Sequence, residues 1–168
     1  MDGFESFITA VLRRMAAYNG TDTRRIGHAL KVYGYAQMIG GDLPSPDREG
    51  LLTAAVLHDI GIHNAEQKHH SAAGTYQEME GPPVALAILE ELGAPADLTE
   101  RVCFLVGHHH SYAKVDGADF QALIEADFLV NIEEDGLSKE AAASIGAKYF
   151  QTESGKTLLS SLFGISAD

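Results

Sequence analysis

The chain has 168 residues, of which 45% are hydrophobic, so it is long and apolar enough to bury one hydrophobic core. This composition excludes a disordered or fibrous protein. The 24 acidic residues outnumber the 12 basic ones, and the resulting net charge of -12 argues against attraction to polymeric nucleic acid or to an anionic membrane surface.

The N-terminal half contains helical patterns separated by glycine and proline. Apolar residues recur at helical spacing over residues 4–15 and again over residues 26–37. A serine followed by a proline predicts a third helix that starts at Ser45 and stops at a glycine in position 61. Residues 62–81 are polar and follow a His-Asp dipeptide, so we interpret them as a loop with a functional role.

The C-terminal half continues as helices. A Gly-Pro pair predicts a helix over residues 82–93, and a capping-box pattern predicts the next one over residues 97–108. The last predicted helices cover residues 120–133, 138–150 and 153–163. Because strand alternation is nearly absent and no linker or repeat interrupts the chain, the sequence predicts one all-α domain over residues 1–168, a compact bundle of seven or eight helices.

The cysteine content and the N-terminus favour a reducing compartment. Cys103 is the only cysteine, which excludes an internal disulfide and a thiolate metal cluster. Its apolar neighbours favour a buried, inert thiol over a nucleophile. The first residues lack the basic and apolar segments of a signal peptide, and no segment approaches the about 18 apolar residues of a membrane span. We therefore expect a cytoplasmic protein.

Histidines and aspartates in apolar helical segments favour a metal site. Imidazole and carboxylate groups suit zinc, iron, manganese or nickel when thiolates are absent. Two of the aspartates have no arginine one helical turn away, and a buried carboxylate must be paired or metal-bound to offset its desolvation. Singly, each candidate also has an ordinary interpretation as a core or solvated polar residue, whereas their combination favours a metal. The candidate donors are His28, His58, Asp59, His108, His109 and Asp127.

The contexts of these residues resemble the HD superfamily of metal-dependent phosphohydrolases. The signature of that family is a histidine, then an adjacent His-Asp pair, then a distant aspartate. The matching segments are RIGHALKV at 25–32, AAVLHDIG at 54–61 and EADFL at 125–129. They occur in the family's order over about residues 20–135. The resemblance implies a compact bundle of at least five helices around the metal.

The resemblance also implies which residues bind one or two divalent ions, whether Fe, Mn, Ni, Mg or Zn. The implied ligands of a first ion are His28, His58, Asp59 and Asp127. Members with two ions add histidines before the last aspartate, which here implies His108, His109 and His70. His69 competes with His70 in the same polar segment, and His63 and His110 receive no role.

The implied chemistry is hydrolysis of a phosphate ester by a metal-activated water. Asp59, which ends its helix beside a ligand histidine, suits a bridging catalytic role. Charge that develops on the phosphoryl oxygens needs cations besides the metals. The family places basic residues at the positions of Lys31 and Arg25, so we expect both to bind substrate and Lys31 to assist catalysis. Glu66 is a candidate proton shuttle and Lys68 a candidate phosphate contact; for all four, a solvated side chain is the alternative.

Motifs of two familiar branches of the superfamily are absent. Residues 115–119 do not continue into the Gly-Tyr-Pro motif of cyclic-di-GMP phosphodiesterases, and residues 60–63 replace the acidic pair of guanosine-tetraphosphate hydrolases. The expected substrate is therefore a small phosphorylated metabolite or a nucleotide. Two alternatives stay open, because a ligand set does not fix the chemistry: a mixed-valent di-iron oxygenase and a non-catalytic, metal-bearing regulatory domain.

Overall fold

The computed structural model describes residues 3–165, which form nine α-helices, one short 3-10 segment and no β-strand. The helices are α1 (Gly3–Asn19), α2 (Thr23–Ile39), α3 (Ser45–Leu57), α4 (Ile62–His69), α5 (Gly74–Glu91), α6 (Ala96–His108), α7 (Ala118–Glu134), α8 (Lys139–Tyr149) and α9 (Glu153–Phe163). The predicted all-α class is confirmed, although the helix count is higher than the predicted seven or eight. No helix of the described part is long and apolar enough to cross a membrane.

The extra helix arises in the polar segment that we expected to be a loop. Helix α4 and the first turns of α5 occupy most of residues 62–81, with a short connection over residues 70–73, and Pro82 and Pro83 lie inside α5 rather than at its start. Proline lacks an amide hydrogen and usually ends a helix, so a proline pair in the sequence suggests a boundary. Here α5 continues through both prolines and packs against α4 and α6.

Helix α3 lies at the centre of the bundle. It packs against α1, α2, α6 and α7, and every residue from Gly50 to Leu57 is buried. A helix that is apolar on all sides is typical of such an internal position. Because α3 ends at Leu57, the next two residues, His58 and Asp59, emerge inside the bundle, and His58 is fully buried.

Gly61 turns the chain from α3 into α4 in direct contact with α5. A Cβ atom on Gly61 would lie 2.3 Å from the backbone nitrogen of Gly81 and 2.6 Å from its Cα atom. A Cβ atom on Gly81 would lie 2.7 Å from Cγ1 of Val106 in α6. The two glycines therefore allow three segments to meet directly behind the His-Asp pair.

Glu125 of α7 attaches helix α9 to the bundle. Its fully buried carboxylate accepts hydrogen bonds from the side-chain amide of Gln121 at 2.8 Å and from the backbone N–H groups of Gln151 at 2.6 Å and Thr152 at 2.9 Å. The Thr152 hydroxyl also donates to this carboxylate and accepts from the N–H of Gly155 at the first turn of α9. One acidic side chain thus satisfies the donors at the start of the last helix.

Replacing Glu125 by alanine is expected to lower the free energy of unfolding by about 2–4 kcal/mol, because part-buried N–H groups lose a charged acceptor and a fully buried side chain is truncated. Urea denaturation followed by circular dichroism measures the change. Glu140→Ala, at an exposed position of α8, is the matched control and is expected to stay within about 0.5 kcal/mol of the parent. Equal losses in the two variants would contradict this role of Glu125.

Candidate metal centre

The four residues of the implied first ligand set meet inside the bundle. The Nε2 atoms of His28 and His58 lie 3.1 Å apart, and Oδ1 of Asp127 lies 3.1 Å from the first and 3.4 Å from the second. Oδ2 of Asp59 lies 3.4 Å and 3.5 Å from the same two nitrogens. Metal bonds of about 2.1 Å at tetrahedral or octahedral angles place neighbouring ligand atoms about 3.0–3.4 Å apart. We call His28, His58, Asp59 and Asp127 the first donor group.

The hydrogen bonds of the two imidazoles leave lone pairs facing the centre of this group. Nδ1 of His28 donates to Oε2 of Glu134 at 3.1 Å, and Nδ1 of His58 donates to the carbonyl of Ala55 at 2.8 Å. In the neutral rings, both Nε2 atoms therefore carry lone pairs. Two nitrogens and two carboxylate oxygens then face one another, an arrangement that a cation would stabilise. Without a cation, burial lowers the pKa of His58, but the nearby Asp59 and Asp127 outweigh burial and raise it to about 9.

A second donor group consists of Asp59, His109 and His110, whose donor atoms lie within 4.8 Å of one another. Nδ1 of His109 donates to the carbonyl of Val106 at 2.9 Å, which leaves a lone pair on its Nε2 atom. This buried Nε2 lies 3.3 Å from Oδ1 of Asp59 and has no hydrogen-bond partner among the described residues. A metal ion would satisfy it. Asp59 thus presents one oxygen to each donor group.

The structure does not bring His108 and His70 into either donor group. Nδ1 of His108 donates to the carbonyl of Phe104 at 2.7 Å, and its ring stacks on the Phe104 ring with centroids 4.3 Å apart. His70 ends α4 in the left-handed conformation, with φ of 53°. His110, to which the sequence assigned no role, lies beside His109 instead. In a run of three histidines at a helix end, the direction of the backbone decides which rings point inward, and residue spacing alone does not reveal it.

Arg25 and Glu66, both predicted to act on the substrate, form an ion pair with each other. The Arg25 guanidinium lies 2.6 Å from Oε1 of Glu66 and 3.1 Å from Oδ2 of Asp22. The hydrogen bond from Arg25 lowers the pKa of Glu66. Glu66 therefore stays ionised at neutral pH, which disfavours the predicted proton transfer through it.

Lys31 and Lys68 also contact acidic residues. Nζ of Lys31 lies 3.1 Å from Oε1 of Glu133 and 3.7 Å from Oε1 of Glu134. Nζ of Lys68 lies 2.7 Å from Oε2 of Glu80. The structure thus places Lys31 behind His28, one carboxylate away, and leaves Lys68 outside the residues that line the cavity at the donor groups.

Glu134 is a functional candidate that the sequence analysis missed. Its side chain is 19% exposed, and its carboxylate accepts a hydrogen bond from His28 with one oxygen and faces Lys31 with the other. A carboxylate behind a ligating histidine fixes the tautomer and orientation of the ring. The signal in the sequence was the position of Glu134 two helical turns after Asp127, on the same face of α7.

Replacing Glu134 by alanine is expected to weaken metal binding by about 10–100-fold, because His28 loses its orienting acceptor. Competition with a fluorescent chelator on metal-free protein measures the affinity. Glu133→Ala is the matched control, since Glu133 also contacts Lys31 but makes no contact with His28; we expect a change of about twofold at most. If both variants lost metal affinity equally, the effect would come from the removed negative charge and not from the hydrogen bond between His28 and Glu134.

A cavity of about 310 Å³ opens onto both donor groups. Its walls include His28, Asp59, His110 and Asp127, together with side chains from α2, α5 and α7. Another cavity, of about 430 Å³, lies around Tyr112 and contains none of the donors. The smaller cavity is therefore the place where a substrate can meet both groups.

Comparison with known proteins gives one match. A family model described as HD domain matches residues 25–150, a range that contains every residue of both donor groups. No curated protein and no solved structure matches the chain.

Proposed function

Since the chain belongs to the HD domain family, whose members are mostly metal-dependent hydrolases, we propose that it is a metal-dependent phosphohydrolase acting on a phosphate ester of a small metabolite or nucleotide. The observation that carries this proposal is the pair of donor groups that share Asp59. Divalent ions held by such groups lower the pKa of a bound water and polarise a phosphoryl oxygen.

In this proposal, each of the two donor groups would hold one metal ion. Residues that would hold a first ion are His28, His58, Asp59 and Asp127, and those that would hold a second are Asp59, His109 and His110. Burial lowers the pKa of His110 to about 4, which keeps its imidazole neutral and able to offer a lone pair. The buried core behind His58 excludes water from one side, so solvent and substrate enter through the cavity.

Arg25 lies in the cavity wall beside the donor groups. Its ion pairs with Asp22 and Glu66 fix the guanidinium, so it can orient a phosphoryl oxygen without first being ordered. The carboxylates of Asp22 and Glu66 also reduce the positive charge that Arg25 offers. In this proposal Arg25 positions the phosphate, while Lys31 acts on the first donor group through Glu134.

The test of this function measures metal content and phosphate release on protein purified without added metal. Metal bound per chain is determined by mass spectrometry, and phosphate release is followed for phosphomonoesters, phosphodiesters and nucleotides. Release that needs the metal supports the proposal. The protein would instead be assigned as a di-iron oxygenase if it held two irons tightly, gave a mixed-valence electron paramagnetic resonance signal and released no phosphate. If metal is bound but neither activity is detected, the protein would be assigned as a non-catalytic, metal-bearing regulatory domain.

A further inference from the structure

The cavity at the donor groups is polar, and its residues select among phosphate esters. We infer that the substrate is a small aliphatic phosphomonoester rich in hydroxyl groups, such as a sugar phosphate or a polyol phosphate. A nucleotide or a polyphosphate fits the cavity poorly. This inference rests on the proposed function and specifies its substrate class.

Arg24 is the cation of the cavity that is free to bind a phosphate. Both arginines, Arg24 and Arg25, line the cavity, but Arg25 is paired with Asp22 and Glu66. Within residues 3–165, no acidic side chain lies at ion-pair distance from Arg24, which is exposed at the cavity edge. One unpaired guanidinium matches one phosphate group, since it offers a planar set of donors to the phosphate oxygens.

Two other side chains that line the cavity are suited to binding hydroxyl groups. Asn131 follows Asp127 by one helical turn and lines the cavity with a side-chain amide that makes no hydrogen bond within the described chain. Asp135 lies at the edge of the same cavity and forms no ion pair with a described residue. An amide donates to and accepts from hydroxyls, and a carboxylate accepts from them. The charge of Asp135 also repels a second phosphate.

The cavity has no phenylalanine, tyrosine or tryptophan ring from residues 3–165 on which a nucleobase can stack. Among the described residues that line it, the apolar side chains are Ile62 and Ala72, and the only aromatic rings are the imidazoles of His28 and His110, which belong to the donor groups. The nearest aromatic cluster, Tyr112 with Phe128 and Tyr149, faces the other cavity. Base recognition normally uses an aromatic or guanidinium plane, and the guanidinium groups of this cavity, Arg24 and Arg25, are assigned to the phosphate. The volume of about 310 Å³ lies at the lower end of small-molecule sites. Both observations favour a compact, polar substrate.

The first experiment compares kcat/KM of the metal-loaded protein on glycerol 3-phosphate, ribose 5-phosphate and glucose 6-phosphate with that on AMP and ATP. We expect the best sugar or polyol phosphate to exceed AMP by at least about tenfold. A higher kcat/KM for AMP or ATP would overturn the inference and leave the proposed function in place. Absence of phosphate release from these five compounds, with metal bound, would overturn the inference; absence of release from the phosphodiesters as well would overturn the proposed function.

The second experiment tests Arg24 by binding as well as by turnover. Arg24→Ala is expected to lower kcat/KM for the preferred sugar phosphate by about 10–100-fold and to weaken binding of inorganic phosphate, measured by calorimetry, by about tenfold. The metal content should not change. Arg13→Ala removes an equally exposed arginine from α1 and is expected to leave both values within about twofold. Equal behaviour of the two variants would overturn the role of Arg24.

The third experiment tests the charge at the cavity edge. Asp135→Asn is expected to raise kcat/KM for fructose 1,6-bisphosphate relative to glucose 6-phosphate by about threefold or more, because it removes the repulsion of a second phosphate. An unchanged ratio of these two values would overturn the discrimination assigned to Asp135.

Discussion

Replacing Asp59 by alanine is expected to lower kcat/KM for phosphate release by at least about 10³-fold and to remove metal from both donor groups. Asp59 is the one residue that the two groups share, with Oδ2 near His28 and His58 and Oδ1 near His109. Substitution of any other donor removes an atom from one group only. Loss of Asp59 is therefore expected to affect both of the proposed ions at once.

Metal content per chain and initial rates at saturating metal measure this effect. Asp42→Ala, an exposed position between α2 and α3, is the control and should retain full metal and activity. Circular dichroism establishes that each variant is folded. If the Asp59→Ala variant kept the full metal content, Asp59 would make no measurable contribution to metal binding in either donor group. His109→Ala provides a graded comparison, because it should reduce metal in the second group while the first retains its donors.

Replacing Gly61 by alanine is expected to lower the free energy of unfolding by about 3 kcal/mol and to reduce metal binding. The new Cβ atom would lie 2.3 Å from the backbone of Gly81, and backbone atoms cannot turn aside as a side chain can. The turn that carries His58 and Asp59 must therefore move away from α5, and the donor atoms move with it.

Two further glycine variants serve as comparisons for the expected loss of stability in Gly61→Ala. Gly81→Ala meets only the Val106 side chain, so a smaller loss of about 1–2 kcal/mol is expected. Gly34→Ala, in α2 with no atom within 4 Å of the added Cβ, is expected to raise stability by about 0.5–1 kcal/mol through helix propensity. The midpoints of urea denaturation give the order of stability of the three glycine variants. A Gly61→Ala protein as stable as Gly34→Ala would refute the close contact behind the His-Asp turn.

The fold class and the first donor group were accessible from the sequence because both depend on local patterns. Apolar periodicity predicts helices wherever a helix packs on one face, and the segments around His28, His58 and Asp127 each combine a polar donor with apolar neighbours. The structure brings these three residues and Asp59 together, as the resemblance implied. Helix α4 was missed because its polar sequence buries only Ala65, and apolar periodicity cannot reveal such a helix.

The remaining parts of the site depend on tertiary geometry. Whether His108 or His110 faces Asp59 is decided by how α6 ends, and the stacking of His108 on Phe104 has no sequence signature. The ion pairs of Arg25 and Lys31 join residues from different helices, so the sequence revealed their charge and not their partners. Arg24 has no such partner among residues 3–165 whereas Arg25 has two, a difference that a three-dimensional description alone can show.

Helix α7 links the C-terminal part of the chain to the candidate metal centre. Asp127 and Glu125 are two residues apart on this helix, so one side chain points to His28 while the other binds the backbone at the start of α9. Helix α9 supplies no metal-donor atom. Its detachment would nevertheless expose the Glu125 carboxylate and loosen helix α7, which carries Asp127. Local opening at the C-terminal end and retention of the ion are therefore expected to be linked events, with one cooperative unit covering both.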